Sequence, residues 1–560
     1  MISALSPSAV LILGAFLLPV VPRLLRPLLV LGLPLVTLAL VWGLPDGAAE
    51  PFAFLDYELI AVRSDPLGRL FAIVFALMAF GGGLFALRQK SDIELVSALV
   101  YAGAAVGVAL AGDLITLFVF WEIMALASTM VIASGGGEHL VRVATRYFIV
   151  HVLGGSLLLA GILLQVVDTG SIAIAHLDAG TLGGALVLAG VLVNAAAPPI
   201  SAWLADAYPE GSFSGTVFLS AFTTKAAVYV LIRMFPGTEI LVPIGLFMIF
   251  YGIVYALLEN DMRRILAYSI VNQVGFMVTG VGIGTEMALN GVAAHAFAHI
   301  IYKALLLMSA GAVLYMTGKR KCTDLGGLFQ SMPVTTVCGI VGALAISSFP
   351  WTSGFISKSM ISQSAGDQHL ALVWFLLMAA SAGVFLHAGI KYPWFVFFQK
   401  DSGLRPPDPP WNMQAAMIFF AALCIGLGIW PEPLYALLPY PVDYVPYTAA
   451  HVVNMLQLLL FSGLAFFLML PLMKRTLTIT LDSDWFYRRF FPGTAQRIGT
   501  AIARADAATR RLLIATTHRL IDQVATRYGE GSQAASAWTT ARMILIVVIT
   551  LGLYVLLTTT

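Results

Sequence analysis

Long apolar segments alternate with short polar connections along almost the whole chain. These candidate spans cover residues 8–22, 25–43, 66–86, 93–111, 113–134, 145–167, 181–203, 214–235, 239–258, 265–283, 288–317, 333–349, 370–399, 412–430, 454–473 and 541–557. An α-helix needs about 20 predominantly apolar residues to cross a bilayer. The pattern therefore predicts an all-α polytopic membrane protein with about 14 to 16 transmembrane helices.

One region near the C-terminus departs from this pattern. It covers residues 475–540 and is polar, with more arginines than acidic residues. Its apolar residues recur at helical spacing, and they are Ile498, Ile502, Leu512, Leu513, Leu520 and Val524. This spacing predicts an amphipathic helix that lies in the membrane interface or along a neighbour, with a soluble helical hairpin as the alternative. The span 541–557 then returns to the membrane as the last helix.

The composition strengthens the membrane prediction and narrows the function. Of the 560 residues 59% are hydrophobic and 11% are charged, against about a quarter charged in soluble domains. The net charge of +2 gives no indication of nucleic-acid binding. Cys322, Cys338 and Cys424 are far apart in sequence and support neither a disulfide framework nor a thiolate metal site. The N-terminus lacks a cleavable signal sequence, so we expect its first helix to be retained.

Arginine and lysine residues gather in several of the polar connections. The clusters are Arg88/Lys90, Arg142/Arg146, Arg263/Arg264 and Lys319/Arg320/Lys321. By the positive-inside rule, we expect these connections on the cytoplasmic side. Arg233 and Lys400 do not fit this pattern.

Two ionisable residues lie well inside predicted spans. Glu122 comes nine residues after Asp113, and Lys225 comes eight residues before Arg233 in the stretch SAFTTKAAVYV. Charged side chains inside a bilayer cost about 3 kcal/mol or more, and they usually face a bundle interior or a wet cavity. The alternatives are a Lys225 side chain that reaches the interface along its stem, and a neutral Glu122 that is hydrogen-bonded in the core.

Two further groups of titratable residues have helical spacing. His295, His299 and Lys303 share one face of their span at i, i+4 and i+8. His387 and Lys391 repeat the i, i+4 spacing in a later span. For the histidines the alternative is a satisfied core residue, and for Lys391 it is a side chain that reaches the interface.

Together these groups form a string of side chains that can each bind and release a proton. The sequence contains no GxxxxGK[ST] phosphate loop, no GxGxxG dinucleotide motif and no HExxH zinc motif. We therefore predict a proton pathway that is driven by an ion gradient or by a partner, with no cofactor and no metal of its own.

Six segments carry the motifs of one known family. They are DLITLFVFWEIMALAS (113–128), NAAAPPISAWLADAYPE (194–210), FLSAFTTKAAVYVLIR (218–233), ENDMRRILAYSIVNQVGF (259–276), HAFAHIIYKALLL (295–307) and SSFPWTSGFISK (347–358). In this order they resemble the proton-conducting antiporter-like subunits of Mrp-type cation/proton antiporters, of the membrane arm of respiratory complex I and of membrane-bound hydrogenases. The resemblance covers roughly residues 65–430 and is greatest to the Mrp antiporter D subunit.

The resemblance implies a core of about fourteen helices with two inverted five-helix repeats, each containing one interrupted helix. The sequence offers residues for both breaks, Pro198 and Pro199 in the first half and Pro350 and Gly354 in the second. Proline removes a backbone donor from a helix. Interrupted helices are tolerated in a membrane where they line protein or water, which suits ion passage.

The resemblance also implies roles for individual residues. Glu122 matches the membrane glutamate of the family, and Lys225 matches its central lysine. His299 and Lys303 match the linking histidine and lysine, and Lys391 falls where the family has a terminal lysine or glutamate. The implied pathway runs from Lys225 past His299 and Lys303 to Lys391 through ordered water.

The chain departs from the family at two positions. The family usually has lysine where this chain has Asn194, and histidine where it has Ser201. Because Asn194 carries no charge, the usual glutamate–lysine pair is incomplete. Glu122 then needs a different cation, for which Lys225 is the candidate in addition to its role as the central relay, or the input step of the pathway differs from that of the family.

These observations predict an organisation in five parts. We expect N-terminal transmembrane helices in residues 1–92, the antiporter-like core with its two repeats in 93–430, and a further transmembrane helix in 431–474. The amphipathic segment then occupies 475–540 and the C-terminal helix 541–560.

The resemblance implies a proton-translocating subunit of a multisubunit Mrp-type antiporter in the cell inner membrane. Its expected partners are other membrane subunits, the lipid bilayer and protons, with Na⁺ or K⁺ as the exchanged ion, and no nucleic acid. Three alternatives stay open. In the first, the chain is a proton-conducting subunit of a redox-driven complex. In the second, it has this role in an inorganic-carbon-accumulating complex whose enzyme is another subunit. In the third, it is a scaffold that takes no part in transport.

Overall fold

The protein is described from a computed structural model that covers residues 6–471, 482–529, 532 and 540–559. The first ten helices are α1 (Pro7–Ala15), α2 (Arg26–Trp42), α3 (Pro66–Phe85), α4 (Asp92–Leu110), α5 (Leu114–Ala133), α6 (Glu138–Thr169), α7 (Leu182–Asn194), α8 (Ala202–Ala207), α9 (Gly215–Leu219) and α10 (Thr223–Met234). The others are α11 (Leu241–Leu258), α12 (Met262–Ile283), α13 (Glu286–Thr317), α14 (Pro333–Ile346), α15 (Ser353–Asp367), α16 (Ala371–Val384), α17 (Trp411–Ile429), α18 (Glu432–Tyr435), α19 (Ala449–Met469), α20 (Phe491–Tyr528) and α21 (Thr540–Thr559).

Short segments with other hydrogen-bond patterns complete the helical structure. Four are 3₁₀ turns, at Ala86–Arg88, Tyr208–Glu210, Cys322–Asp324 and Leu328–Gln330. Three are π-helical, at Phe385–Lys391, Trp394–Phe398 and Phe486–Phe490. The first two π segments continue α16 through Pro393, within the predicted span 370–399.

The all-α polytopic fold is confirmed. Within the described residues, 12 helices are long and apolar enough to cross a membrane, and three shorter apolar helices are Arg26–Trp42, Leu182–Asn194 and Pro333–Ile346. The predicted spans, about 14 to 16 in number, therefore include helices that are long enough to cross the membrane and shorter helices that are not. The predicted span 8–22 becomes a helix that ends at Ala15, because Pro19 has no N–H to donate to the Ala15 carbonyl.

Three long helices begin at aspartates that cap them. The side chains of Asp65, Asp113 and Asp261 accept hydrogen bonds from backbone N–H groups in the first turns of α3, α5 and α12. Such caps satisfy donors that the helix itself leaves unpaired. The sequence therefore fixes where these helices enter the bundle.

A β-hairpin lies in the connection between α2 and α3, where no strand was predicted. β1 (Ala49–Phe54) pairs antiparallel with β2 (Tyr57–Arg63). The Ile60 N–H of β2 donates to the Asp113 carboxylate at 2.7 Å, which attaches the hairpin to the start of α5. The alternation of buried and exposed residues in β2 is too short to stand out beside the long helical spans.

Ion pairs mark the two ends of the bundle. At the end that we call the basic end, formed by residues 88–94, 208–214, 259–264 and 318–324, Arg320 pairs with Asp261 at 2.8 Å and with Glu210 at 3.1 Å. At the other end, the hairpin end, Arg233 pairs with Asp65. Arg233 departs from the positive-inside pattern because α10 ends on the side opposite to the basic clusters.

The chain divides into two compact units, residues 1–484 and 485–560. The second unit contains α20 and α21. Within the predicted amphipathic segment 475–540, Phe491–Tyr528 form one continuous helix of 38 residues, and the predicted apolar residues on it are exposed. The predicted boundary between residues 474 and 475 lies outside the described residues.

Candidate proton pathway

Within the described residues, helices are interrupted at both of the predicted breaks, and these two helices run in opposite directions. α7 starts at the hairpin end, where the Leu177 N–H donates to the Met234 carbonyl at 2.8 Å. α14 starts at the basic end, shortly after Arg320, whose carbonyl accepts from the Met262 N–H at 2.9 Å. The breaks follow at residues 195–201 and 347–352, next to Pro198, Pro199 and Pro350 as predicted.

The first break is a helix C-cap. Ala196 has a left-handed backbone with φ 59°, and the Ala197 N–H reaches back to the Leu192 carbonyl at 2.9 Å. The Trp203 indole N–H on α8 donates to the Val193 carbonyl at 3.0 Å. Carbonyls that the ended helix leaves free are therefore satisfied within the protein.

The second break repeats this geometry 152 residues later. Ser348 has φ 58°, and the Phe349 N–H reaches back to the Leu344 carbonyl at 3.0 Å. Gly354 begins α15 so close to α14 that a methyl group on it would overlap the Ala345 carbonyl oxygen. The glycine is required by this close approach. Both predicted breaks are present and have the same hydrogen-bond pattern.

Lys225 follows a further break that the sequence did not predict. The predicted span 214–235 is divided into α9 and α10, and the fully buried Lys225 lies in the first turn of α10. Its Nζ donates to the Ser220 carbonyl at 2.6 Å and to Thr224 Oγ1 at 3.1 Å. Its only partners in the described part of the chain are therefore neutral oxygens, and it does not reach an interface.

The predicted face of α13 is buried in the core. Lys303 Nζ donates to Ser269 Oγ at 2.9 Å and to the Leu266 carbonyl at 3.3 Å. His295 lies 3.1 Å from both Ser357 Oγ and Gln273 Oε1, one on each ring nitrogen. His295 is thus a hydrogen-bonded residue that connects α12, α13 and α15.

His299 lies between the lysines. Neither of its ring nitrogens has a hydrogen-bond partner among the described residues, although the ring is fully buried. The charges of Lys225, Lys303 and Lys358 all act on it. A buried imidazole whose ring nitrogens have no partner among the described residues, and on which three amines act, is a candidate for proton exchange.

Lys358 is the last residue of the motif SSFPWTSGFISK, but the sequence analysis did not select it as a candidate for the pathway. It is buried on α15, and its Nζ donates to the Ile346 carbonyl at 3.1 Å, across the second break. The same nitrogen lies 4.7 Å from the centre of the Phe276 ring. The sequence signal that could have identified Lys358 is its position four residues after Gly354, the glycine of the second break.

Lys391 is placed differently from the other lysines. Its Nζ donates to the carbonyls of Ala256, Leu257 and Glu259 at 3.0, 2.6 and 2.5 Å. These carbonyls end α11, where the helix dipole favours a cation. His387, one π-helical turn earlier, is bonded through Nδ1 to the Gly383 carbonyl at 2.9 Å. The structure therefore gives Lys391 a helix-capping contact at the basic end.

Glu122 and Asn194 both border α6. A methyl group on Gly155 would overlap Glu122 Oε1, and one on Gly154 would lie 3.3 Å from Asn194 Oδ1. Glu122 is half-buried, and within the described ranges no cation pairs with it. Neither polar atom of the Asn194 amide has a protein partner in the described part of the chain. The structure brings these two residues to neighbouring positions of one helix, without a lysine between them.

Sequence reasoning also missed a buried group of hydroxyls beside α6. Tyr101 Oη lies 2.5 Å from Thr223 Oγ1, and the Tyr147 hydroxyl donates to Ser128 Oγ at 2.9 Å. The buried Tyr208 hydroxyl has no hydrogen-bond partner among the described residues, and it lies near the Tyr101 and Thr223 hydroxyls. We call Tyr101, Tyr147, Tyr208 and Thr223 the hydroxyl cluster. Thr223 precedes Thr224, which binds Lys225, so the cluster ends at the central lysine.

The described part of the chain contains no group of three or more His, Cys, Asp or Glu side chains that fits a metal ion. Cys322, Cys338 and Cys424 are buried and form no disulfide within the described residues. The titratable groups described above include buried lysines, which donate to hydroxyls and backbone carbonyls, and buried histidines.

A helical membrane protein with two oppositely directed interrupted helices and buried ionisable groups has the architecture of ion-translocating membrane proteins. Residues 111–386 match the family model described as NADH:quinone oxidoreductase/Mrp antiporter, TM. The chain is 32% identical over 351 residues to the D subunit of the Na(+)/H(+) antiporter of Alkalihalophilus pseudofirmus, covering 59% of this chain and 71% of that one. The chain belongs to this family of antiporter-like transmembrane subunits.

Other relatives come from redox complexes and from solved assemblies. The N subunit of the NADH-quinone oxidoreductase of Desulforudis audaxviator is 32% identical over 48% of this chain and 58% of its own length. The Mrp complex of a Dietzia species matches 98% of this chain with a TM-score of 0.77 at 22% identity, and the chain spans 66% of the matched chain. A membrane-bound sulfane sulfur reductase matches 97% of this chain and 99% of its own with a TM-score of 0.72 at 24% identity. At these identities, the two structural similarities show a shared fold only.

Proposed function

We propose that this chain is a proton-translocating subunit of a multisubunit Mrp-type cation/proton antiporter in the inner membrane. The relative named as the D subunit of a Na(+)/H(+) antiporter supports this function. The expected partners are other membrane subunits, and the exchanged cation is Na⁺ or K⁺. In this function the chain is a transporter subunit, and any chemistry other than proton transfer belongs to its partners.

The single observation that carries the proposal is the set of lysines around His299. Lys225, Lys303 and Lys358 are buried, and each donates to neutral carbonyl or hydroxyl oxygens. A lysine in an ion pair must separate from its carboxylate when it loses a proton. A lysine held by neutral oxygens gives up a proton without breaking an ion pair. These sites therefore suit repeated proton transfer.

The transfer steps follow from this arrangement. The Lys225 ammonium gives a proton through ordered water to a free nitrogen of His299, which leaves a neutral amine and an imidazolium. His299 then gives its other ring proton to the amine of Lys303 or Lys358. Two unit charges about 6 Å apart interact by about 3 kcal/mol at an effective dielectric near 20, so each arriving charge favours departure of the one before it.

This path ends at Lys358 on α15, in place of the implied end at Lys391. Lys358 lies at the second break and acts electrostatically on His299. The three carbonyls around Lys391 favour a stable capping contact for that residue. His387 stays a candidate because the charges of Lys303, Lys358 and Lys391 all act on it.

The proposal is tested by replacing Lys225 with alanine in the assembled complex. In inverted vesicles, we expect the Lys225→Ala variant to lose cation-dependent proton flux by at least about tenfold, while the complex stays assembled. Lys319, an exposed loop lysine, gives the matched control Lys319→Ala, which should keep the flux. Unchanged flux in Lys225→Ala would refute the assignment.

A redox-driven complex is the second candidate. The relative named as the N subunit of an NADH-quinone oxidoreductase shares 32% identity with this chain. In that case the same pathway would conduct protons when a partner subunit transfers electrons. Purification of the complex separates the two candidates, because bound flavin or iron–sulfur clusters in a partner would favour the redox complex.

A further inference from the structure

His151 on α6 is a buried histidine that the pathway above does not use. Its side chain is 1% exposed, and neither ring nitrogen has a hydrogen-bond partner among the residues described. Leaving a buried polar group without a partner costs about 1–3 kcal/mol. An apolar residue of similar size would avoid this cost, so the site calls for a specific explanation.

The position of His151 on its helix connects it to the first break. His151, Gly154 and Gly155 lie on one face of α6, at i, i+3 and i+4. The two glycines contact Asn194 and Glu122 respectively. The imidazole therefore lies one helical turn from the half-buried carboxylate and from the uncharged amide.

Several polar atoms around this face lack protein partners within the described residues. They are Glu122 Oε1, both ring nitrogens of His151 and both amide atoms of Asn194. Buried polar atoms of this kind are usually met by ordered water, each molecule making two to four hydrogen bonds. A region lined by a carboxylate and an imidazole therefore suits a short proton-conducting water chain.

Packing leads from His151 to the hydroxyl cluster. The imidazole contacts the Tyr147 ring edge-on, with ring centroids 4.0 Å apart, and the Trp203 ring at 4.6 Å. Tyr147 in turn packs on Tyr208, with centroids 6.4 Å apart. The Tyr208 hydroxyl has no hydrogen-bond partner in the described part of the chain and lies near Tyr101 and Thr223. Tyr101 and Thr223 lie 2.5 Å apart, and the next residue, Thr224, binds Lys225.

We propose that His151 is a proton-binding station between Glu122 and Lys225. A proton from the Glu122 carboxyl passes through water to one ring nitrogen, which leaves a carboxylate and forms an imidazolium. The imidazolium then releases its other ring proton to the hydroxyl cluster. Each hydroxyl there accepts one proton and donates its own onward, and the last transfer protonates the Lys225 amine. This inference rests on the proposed function.

The other charged groups around His151 are already paired. On the elements packed against this part of α6, the titratable carboxylates are Glu122 on α5 and Asp206 on α8. Asp206 accepts two hydrogen bonds at 3.0 Å from Arg146. Glu122 is therefore the one of these two carboxylates that lacks a cation within the described structure, which makes it the proton donor.

The first test replaces His151 with glutamine, which keeps polarity and similar length but does not titrate. We expect His151→Gln to lower cation-dependent proton flux at least about tenfold with normal assembly. His176 is exposed in a loop, so His176→Gln is the matched control and should keep the flux. Flux within about twofold of wild type in His151→Gln would overturn the proposal.

The second test separates proton transfer from packing. His151→Gly leaves a cavity of imidazole size, to which imidazole or pyrazole is added from outside. The two molecules have similar shapes, but only imidazole is a base near neutral pH. Recovery of flux with imidazole alone supports the proposal, whereas equal recovery with both, or recovery with neither, contradicts it.

The outcome is also distinguishable from failure of the proposed function. If Lys225→Ala abolishes flux and His151→Gln does not, only the His151 station is wrong. If neither variant changes the flux, the proposed function itself fails. Tyr147→Phe provides a further check, because it keeps the ring against His151 and removes the hydroxyl, so the flux should fall without loss of assembly.

Discussion

The side-chain nitrogen of Lys225 lies 2.6 Å from the carbonyl oxygen of Ser220, at the point where α9 has ended and α10 has not yet begun. A break in a helix frees backbone carbonyls, and a membrane interior offers no water to satisfy them. The lysine supplies the missing donor. Lys358 has the same relationship to Ile346 at the second interrupted helix.

The Thr224 hydroxyl is the second partner of Lys225, and its removal tests how the amine is held. Thr224→Val keeps the shape and loses the hydrogen bond at 3.1 Å. We expect proton flux to fall by about tenfold, because a hydrogen bond to a charged group contributes about 1.5–3 kcal/mol. Flux assays in vesicles check this, with Thr145→Val at an exposed position as the control. Equal flux in both variants would contradict a role for the hydroxyl.

Lys358 and Lys391 are expected to fail in different ways. Lys358→Met should abolish proton flux, because the proton-binding group is lost, and should cost less stability than Lys391→Met, because one carbonyl rather than three loses its donor. Lys391→Met should lower the free energy of unfolding by about 1–2 kcal/mol, because it removes a cation from three carbonyls at a helix end. Vesicle flux and thermal unfolding in detergent are measured on both. Loss of flux in Lys391→Met alone would restore Lys391 as the end of the pathway.

The close approach of α15 to α14 makes Gly354 intolerant of a side chain. In Gly354→Ala the added methyl would overlap the Ala345 carbonyl oxygen, so the break must shift. Such overpacking costs about 1–3 kcal/mol or more, and we expect a lower unfolding temperature and impaired flux. Gly426 on α17 has open space around it, so Gly426→Ala should leave both unchanged. Similar behaviour of the two variants would show that the approach is not tight.

The ion pairs at the basic end predict a pH dependence. Burial alone would raise the pKa of Glu210, but the hydrogen bond and charge of Arg320, with His139, bring it below its ordinary value of 4.5. Glu210 therefore contributes stability above that value and loses it as the pH falls through the lowered pKa. Burial raises the pKa of Asp261, although Arg320 opposes the shift.

Arg320→Gln removes the cation from both carboxylates. We expect it to cost about 1 kcal/mol at pH 7, since Arg320 is partly exposed. The deficit relative to wild type should shrink as the pH falls and both carboxylates bind protons. Unfolding temperatures between pH 4 and pH 8 check this prediction, and a deficit that is independent of pH would argue against an electrostatic origin.

The division of charge between the two ends predicts the orientation of the chain. The basic end carries Arg320 and the exposed Lys319, and the hairpin end carries the exposed Glu239. By the positive-inside rule, a membrane-impermeant maleimide should label Lys319→Cys from the cytoplasmic side and Glu239→Cys from the opposite side. The native cysteines are buried, so wild type is the unlabelled control. The reverse pattern would invert the orientation.

Much of the fold could be predicted because it depends on local properties of the chain. The length of the apolar segments indicates helices that cross a bilayer, and the prolines near residues 198 and 350 indicate where two of them break. The i, i+4 spacing of His295, His299 and Lys303 placed them correctly on one buried face. The β-hairpin and the break before Lys225 were missed, because short local patterns are obscured within or between long apolar segments.

The sequence by itself determined the helical membrane fold, its two principal breaks and the buried lysine of α10, since each follows from hydrophobicity and from backbone chemistry along one stretch of chain. Only the tertiary structure decided which ionisable groups meet. The charge of Lys358 acts on His299, and His151 shares a helix face with the glycines that contact Glu122 and Asn194. These relationships involve residues on different helices, and they depend on packing distances that no local pattern encodes.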